Sequence, residues 1–163
     1  MLPRQSPIVS IGAYCLMKNH YHILIQEIVE GGITKFMQKL GTGYAMYFNQ
    51  KHDRIGNLFL KPFRSKHINT DAYLRKVTQY IHLNPCEMFE AGFKEGKVRN
   101  LHSLLKKLEE YPFSSLQDYL GRKRPENEIL DPTAIKLLRQ SRLALNSTIG
   151  DALEYYRELE HEF

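Results

Sequence analysis

His20 and His22 stand one residue apart inside a largely apolar, β-prone run, Met17-Lys18-Asn19-His20-Tyr21-His22-Ile23-Leu24-Ile25. Side chains alternate faces along a strand, so the two imidazoles leave the backbone on the same side. Two neutral ring nitrogens side by side are the beginning of a divalent-metal site. Spacing alone leaves a second reading open, a pair of half-buried strand histidines bonded to backbone. Leu24 shares the face of His22, while Tyr21, Ile23 and Ile25 take the other.

A second stretch, Tyr80-Ile81-His82-Leu83-Asn84-Pro85, carries a phenol and an amide four residues apart. Residues four apart on a helix stack on one face. Tyr73 and Lys76 lie on the same side, whereas His82 is turned away by about 200° and makes a poor partner for Tyr80. Two imidazoles with an oxygen from Asn84 would make an open, mixed site suited to Mg²⁺ or Mn²⁺ acting on a phosphate. A tyrosine hydroxyl beside such an ion can attack a phosphodiester and become covalently phosphorylated. Tyr80 is the first candidate and Tyr73 the fallback. A third reading, a metal hydrolase using activated water, needs an acidic ligand, and Glu27 is the only nearby one.

These residues need a hairpin and a helix to present them. Residues 8–16 read as a strand, Lys18-Asn19 as its turn, and residues 20–27 as the return strand, ended by Gly31-Gly32. From Thr34 to about Lys51 the residues Phe36, Met37, Leu40, Tyr44, Tyr47 and Phe48 recur at helical spacing, with the aromatic stripe expected as core against the hairpin's sheet. Leu58–Ile68 reads as a strand that places Arg64 and Lys66 on one face, with Pro62 at an edge or bulge. Those two cations could hold successive phosphates or simply protect a sheet edge. Asn69, Thr70 and Asp71 are good N-caps, and Leu74, Val77, Thr78 and Ile81 form a stripe that runs to the stop at Pro85. Further helices are expected over about 101–109, within 111–121, over 132–142 and over 147–160, and residues 122–127 read as a linker.

Composition narrows the setting. The 163 residues fit one domain with a small appendage, here 1–121 followed by a helical extension over 122–163. Residues 51–107 hold twelve basic against five acidic side chains, while 108–163 hold seven against eleven. A basic middle with an acidic tail points to a polyanion, nucleic acid first, or to a solvated basic face. Cys15 and Cys86 form no metal or redox spacing, which suits a reducing compartment. No segment has the length of apolar chain needed to cross a bilayer and none resembles a signal peptide, so a cytoplasmic protein with no membrane partner is expected.

With both stretches in view, residues 15–25 resemble the HUH motif of single-tyrosine HUH-superfamily transposases. YIHLNP at residues 80–85 resembles the catalytic helix of their REP-associated (RAYT-type) branch. LFLKPFRSKHI at 58–68 and YPFSSLQDYLG at 111–121 are similar to further family segments. The resemblance implies that His20, His22 and Asn84 bind a catalytic Mg²⁺ or Mn²⁺ and that Tyr80 is the nucleophile. It implies an α+β fold, an antiparallel sheet with helices packed on it on a ferredoxin-like plan. The implied substrate is single-stranded DNA, often with a hairpin beside the cleavage site, cut to leave a 5′-phosphotyrosine and a free 3′-OH. Lys18, Arg64, Lys66 and Lys76 are the DNA-contact candidates, and a homodimer is an open reading. The family's first strand and helix, which precede the hairpin, have no counterpart in this sequence. Tyr21 stands where an aliphatic residue is usual, Lys18 where proline is common, and Cys86-Glu87 follow the NP pair in place of a small apolar and a basic residue. The competing function is a DNA-hairpin binding module, descended from such a transposase, that no longer cuts.

Overall fold

The structure, a computed structural model, describes residues 6–139. It is an α+β arrangement in which β1 (Val9–Leu16) pairs with β2 (Tyr21–Glu27) in a two-stranded antiparallel sheet. Helices α1 (Gly32–Lys51), α2 (Asp71–Leu83), α3 (Cys86–Phe89), α4 (Leu101–Glu110), α5 (Leu116–Tyr119) and α6 (Pro132–Arg139) follow, with a 3₁₀ turn at Pro125–Ile129 before α6. The helix expected over 147–160 lies outside the described residues. Among the described residues no helix is long and apolar enough to cross a membrane.

The contacts divide the chain into two compact units. Among the described residues, one holds 6–10 together with Ile25–His67, and the other holds Ile11–Leu24 together with 68–139. In the first unit, Gly31 enters α1 at φ 71°, and the Glu27 carboxylate accepts the Ile33 N–H at 2.9 Å. A side chain at Gly32 would meet the Ile8 carbonyl oxygen at 2.3 Å, so only glycine fits that approach. The aromatic stripe of α1 departs from the core expectation. Tyr44 and Tyr47 are 49% and 57% exposed, and within α1 only Gly32 and Met37 are buried. Tyr44 stacks on Phe59, and Phe48 lies against His52 and beneath Arg54.

The expected strand over Leu58–Ile68 does not form. Residues 61–67 are exposed and irregular, so Arg64 and Lys66 are not presented on a sheet edge. Pro62 has no N–H to give a ladder, and among the described residues the one sheet is the β1–β2 pair, which no strand over 58–68 joins.

The second unit is built on α2. The Thr70 hydroxyl accepts the Tyr73 N–H at 3.2 Å, and Asp71 sits in the first turn, where a negative charge suits the helix dipole. One side of α2 contributes Ile81 to a cluster with Ala13 and Cys15 of β1, and Leu24, Val77 and Tyr80 pack around it. Leu83 joins a second cluster with Cys86, Phe93, Leu104, Leu108 and Leu116. Each leucine, isoleucine or phenylalanine side chain fully buried in these clusters contributes about 1.5–3 kcal/mol.

The segment after α4 covers the open edge of β1. Leu16 N–H donates to the Phe113 carbonyl at 2.8 Å, Ser115 N–H to the Tyr14 carbonyl at 2.9 Å, and Cys15 bridges Ser114. The Tyr111 and Tyr119 hydroxyls donate to the Leu16 and Gly12 carbonyls at 2.6 and 2.7 Å. An uncovered strand edge is a template for aggregation, and these bonds close it. The stretch read as a linker is anchored as well. Arg124 donates through Nη1 to the Pro112 carbonyl and through Nη2 to Tyr14 Oη and the Ser114 carbonyl, and it pairs with the buried Asp118 carboxylate. A guanidinium with five donors can satisfy that many acceptors at once, which charge pattern alone does not reveal.

Candidate functional site

The turn between the strands closes with the Met17 N–H donating to the His20 carbonyl at 2.8 Å, which puts His20 at the mouth of β2 and His22 second in the strand. Their rings meet edge to face with centroids 5.0 Å apart. His22 in turn meets the Tyr80 ring edge to face at 5.2 Å. Asn84 caps the C-terminus of α2. Its backbone N–H and its side-chain Nδ2 both donate to the Tyr80 carbonyl, at 3.1 and 2.8 Å. The structure thus brings the predicted His20, His22, Tyr80 and Asn84 together within one unit.

The protonation states follow from the partners. Asn19 Oδ1 lies 2.7 Å from His20 Nδ1, and an amide oxygen only accepts, so this bond assigns the proton to Nδ1 and leaves the Nε2 lone pair open. His20 is pushed below the usual imidazole range by desolvation and by the Lys94 ammonium. Burial lowers His22 further, to about 4, helped by the charges of His20 and Lys94 and opposed by the nearby Asn84 side chain. Even so, His22 Nε2 is buried and makes no hydrogen bond. A buried polar atom without a partner carries a desolvation cost that a metal ion would remove. Asn84 Nδ2 is committed to Tyr80, so Oδ1 is the atom left to ligate. The donor set is therefore two neutral imidazoles and one amide oxygen, which fits a divalent cation with open positions. Among the described residues no group of three or more His, Cys, Asp or Glu side chains could hold a metal ion. Glu27, required by the hydrolase reading, is engaged at the start of α1.

The remaining candidates fall as follows. Tyr73 is in the first turn of α2, about 10 Å along the axis from Tyr80. Lys76 is exposed one turn before Tyr80, and Lys18 is exposed in the hairpin turn. Arg64 and Lys66 are exposed in the other unit. Three residues of the site escaped the sequence reading. Asn19 orients His20, and its position beside a histidine is a usable signal. Lys94 acts on both imidazoles from a loop whose Phe93 is fully buried, and sequence showed only scattered lysines there. His82 is buried beneath the site, with Nε2 2.8 Å from Ser115 Oγ.

An α+β chain with a paired-histidine strand facing a helical tyrosine and asparagine is the class of molecule that this geometry defines. Residues 5–84, which include all four of those side chains, match the family model described as transposase IS200-like. Over that stretch the chain is similar to the IS200-like transposase family. No curated protein and no solved structure matches the chain.

Proposed function

We propose that the protein is a single-tyrosine transposase of the REP-associated type that cleaves and rejoins single-stranded DNA beside a hairpin, with Tyr80 as nucleophile. The observation that carries this reading is the unbroken series His20, His22 and Tyr80, with Asn84 bonded to the same helical turn. The IS200-like match supports the transposase part of it. His20, His22 and Asn84 would hold Mg²⁺ or Mn²⁺, which when bound supplies Lewis-acid polarisation of a phosphate oxygen.

In this reading Tyr80 Oη attacks the phosphorus of the scissile phosphodiester. The new phosphorus–phenol bond forms as the bond to the 3′ oxygen breaks. The phenol proton passes to solvent and the departing oxygen takes one up, leaving a 5′-phosphotyrosine and a free 3′-OH. Attack by a 3′-OH on the phosphotyrosine reverses these steps and rejoins a strand. Lys18, Lys76 and Lys94 offer positive charge to the DNA phosphates, and Arg64 and Lys66 are further phosphate contacts.

The test is a covalent-adduct assay. Purified protein and its Tyr80→Phe variant are mixed with labelled single-stranded DNA hairpins and Mg²⁺ or Mn²⁺, then resolved on a denaturing gel. A metal-dependent shifted band that vanishes in Tyr80→Phe is expected. Folded wild-type protein that binds hairpins and forms no band would replace this reading with a hairpin-binding module.

A further inference from the structure

We infer that His82 and Ser115 form a positioning pair that fixes α2 against β1 and thereby sets where Tyr80 and Asn84 stand relative to His22. The inference rests on the proposed chemistry for its functional meaning and on hydrogen-bond geometry for its substance.

Ser115 Oγ is at the centre of the pair. It accepts the Tyr14 N–H at 2.9 Å, lies 3.2 Å from the Tyr14 carbonyl oxygen, and lies 2.8 Å from His82 Nε2. A serine hydroxyl has one proton and two lone pairs. Donation to the Tyr14 carbonyl uses the proton, so the second lone pair accepts from His82 Nε2–H and every valence is used. His82 Nδ1, buried without a partner, is then an unprotonated nitrogen rather than a stranded N–H donor. The Tyr119 ring closes on the imidazole at 4.7 Å, edge to face, while its hydroxyl donates to the Gly12 carbonyl. Both groups that grip the imidazole are thus bonded to the backbone of β1, at Gly12 and Tyr14.

The apolar contacts of Ile81 with Ala13 and Cys15 bury area without direction, and they tolerate a small slide or rotation. A hydrogen bond between fully buried partners does not, because breaking it strands polar atoms. His82 is two residues from both Tyr80 and Asn84, so it points away from the site and touches no reacting atom. It is a positioning residue. A rotation of α2 by about 10° moves side-chain tips by ~1 Å, and a misplacement of that size can cost about 100-fold in rate.

The experiment compares wild type with Ser115→Ala, His82→Leu and His82→Gln, each first shown folded by circular dichroism and urea titration. Two readouts are taken: the single-turnover rate of adduct formation on a DNA hairpin, and the nuclear Overhauser cross-peaks between His22 and Tyr80 ring protons. Ser115→Ala and His82→Leu are expected to lose 10- to 100-fold in rate and to weaken the cross-peaks, with hairpin affinity within about twofold of wild type. His82→Gln keeps a donor near the Nε2 position and is expected to recover most of the rate. Rates within twofold of wild type and unchanged cross-peaks in both folded Ser115→Ala and His82→Leu would overturn the pair. If wild type forms no adduct, the proposed chemistry fails by itself, and the cross-peaks still decide the positioning.

Discussion

Replacing Arg124 by Met leaves a buried carboxylate and several acceptors without their cation. Asp118 has a fully buried side chain, and that of Arg124 is 10% exposed. The guanidinium gives Nε to both carboxylate oxygens at 3.1 Å, Nη1 to Pro112 O at 2.8 Å, and Nη2 to Tyr14 Oη at 2.9 Å and Ser114 O at 2.6 Å. Removing one partner of a buried pair costs ~3–5 kcal/mol. For a chain of 163 residues that is a fall of roughly 6–20 °C in Tm. Adding Asp118→Asn to Arg124→Met removes the stranded charge and should restore about half of the loss. Full recovery is not expected, because the carbonyl of the buried Ser114 stays unpartnered at ~1–3 kcal/mol. Urea unfolding of wild type, both single variants and the double gives the coupling energy directly. An Arg124→Met variant within about 1 kcal/mol of wild type would refute the reasoning, since that is the range of an exposed ion pair.

Four further outcomes are expected. Asn84→Asp keeps an oxygen ligand but sets a carboxylate against the Tyr80 carbonyl, so it should cost ~1–3 kcal/mol without metal; Mn²⁺ should then raise its Tm more than that of Asn84→Ala, and equal shifts would remove Asn84 from the ligand set. Burial pushes the Cys15 and Cys86 thiols up to about 12, so both should resist a disulfide reagent at pH 8 until urea is added. Because those folded values lie above the ordinary value of 9.0, the stability they contribute is complete below pH 9 and lost as pH climbs toward 12, by ~1.4 kcal/mol per unit for each thiol; a stability curve flat between pH 9 and 11 would contradict this. Lys94→Gln should reduce the salt dependence of hairpin binding by about 0.7 in the log–log slope, whereas Lys136→Gln on α6 should leave the slope unchanged.

The four candidate site residues could be paired in the sequence because each pairing depends on a local period. A strand repeats every two residues and so pairs His20 with His22, and a helix stacks positions four apart and so pairs Tyr80 with Asn84. The capping residues of α2 and the stop at Pro85 are equally local, and the helix forms over Asp71–Leu83 as the pattern requires. Leu58–Ile68 shows the limit of that logic. Its β-prone residues promised a strand, but a strand exists only when a partner completes its ladder, and pairing is decided elsewhere in the chain.

The supporting residues escaped for a related reason. His82 reaches Ser115 across 33 residues, Ser115 reaches Tyr14 across 101, and Arg124 reaches Tyr14 across 110. No periodicity links positions so far apart, and composition pointed the wrong way by making 122–127 look like a basic linker. Read from the sequence, His82 was only the residue that faced away from Tyr80. That is the property that suits it to hold the helix. A side chain on the reactive face would compete with substrate and metal for space, whereas one on the far face can be buried completely and bonded to β1 without touching either. The orientation that disqualified His82 as a partner for Tyr80 is therefore the orientation that a support for Tyr80 requires.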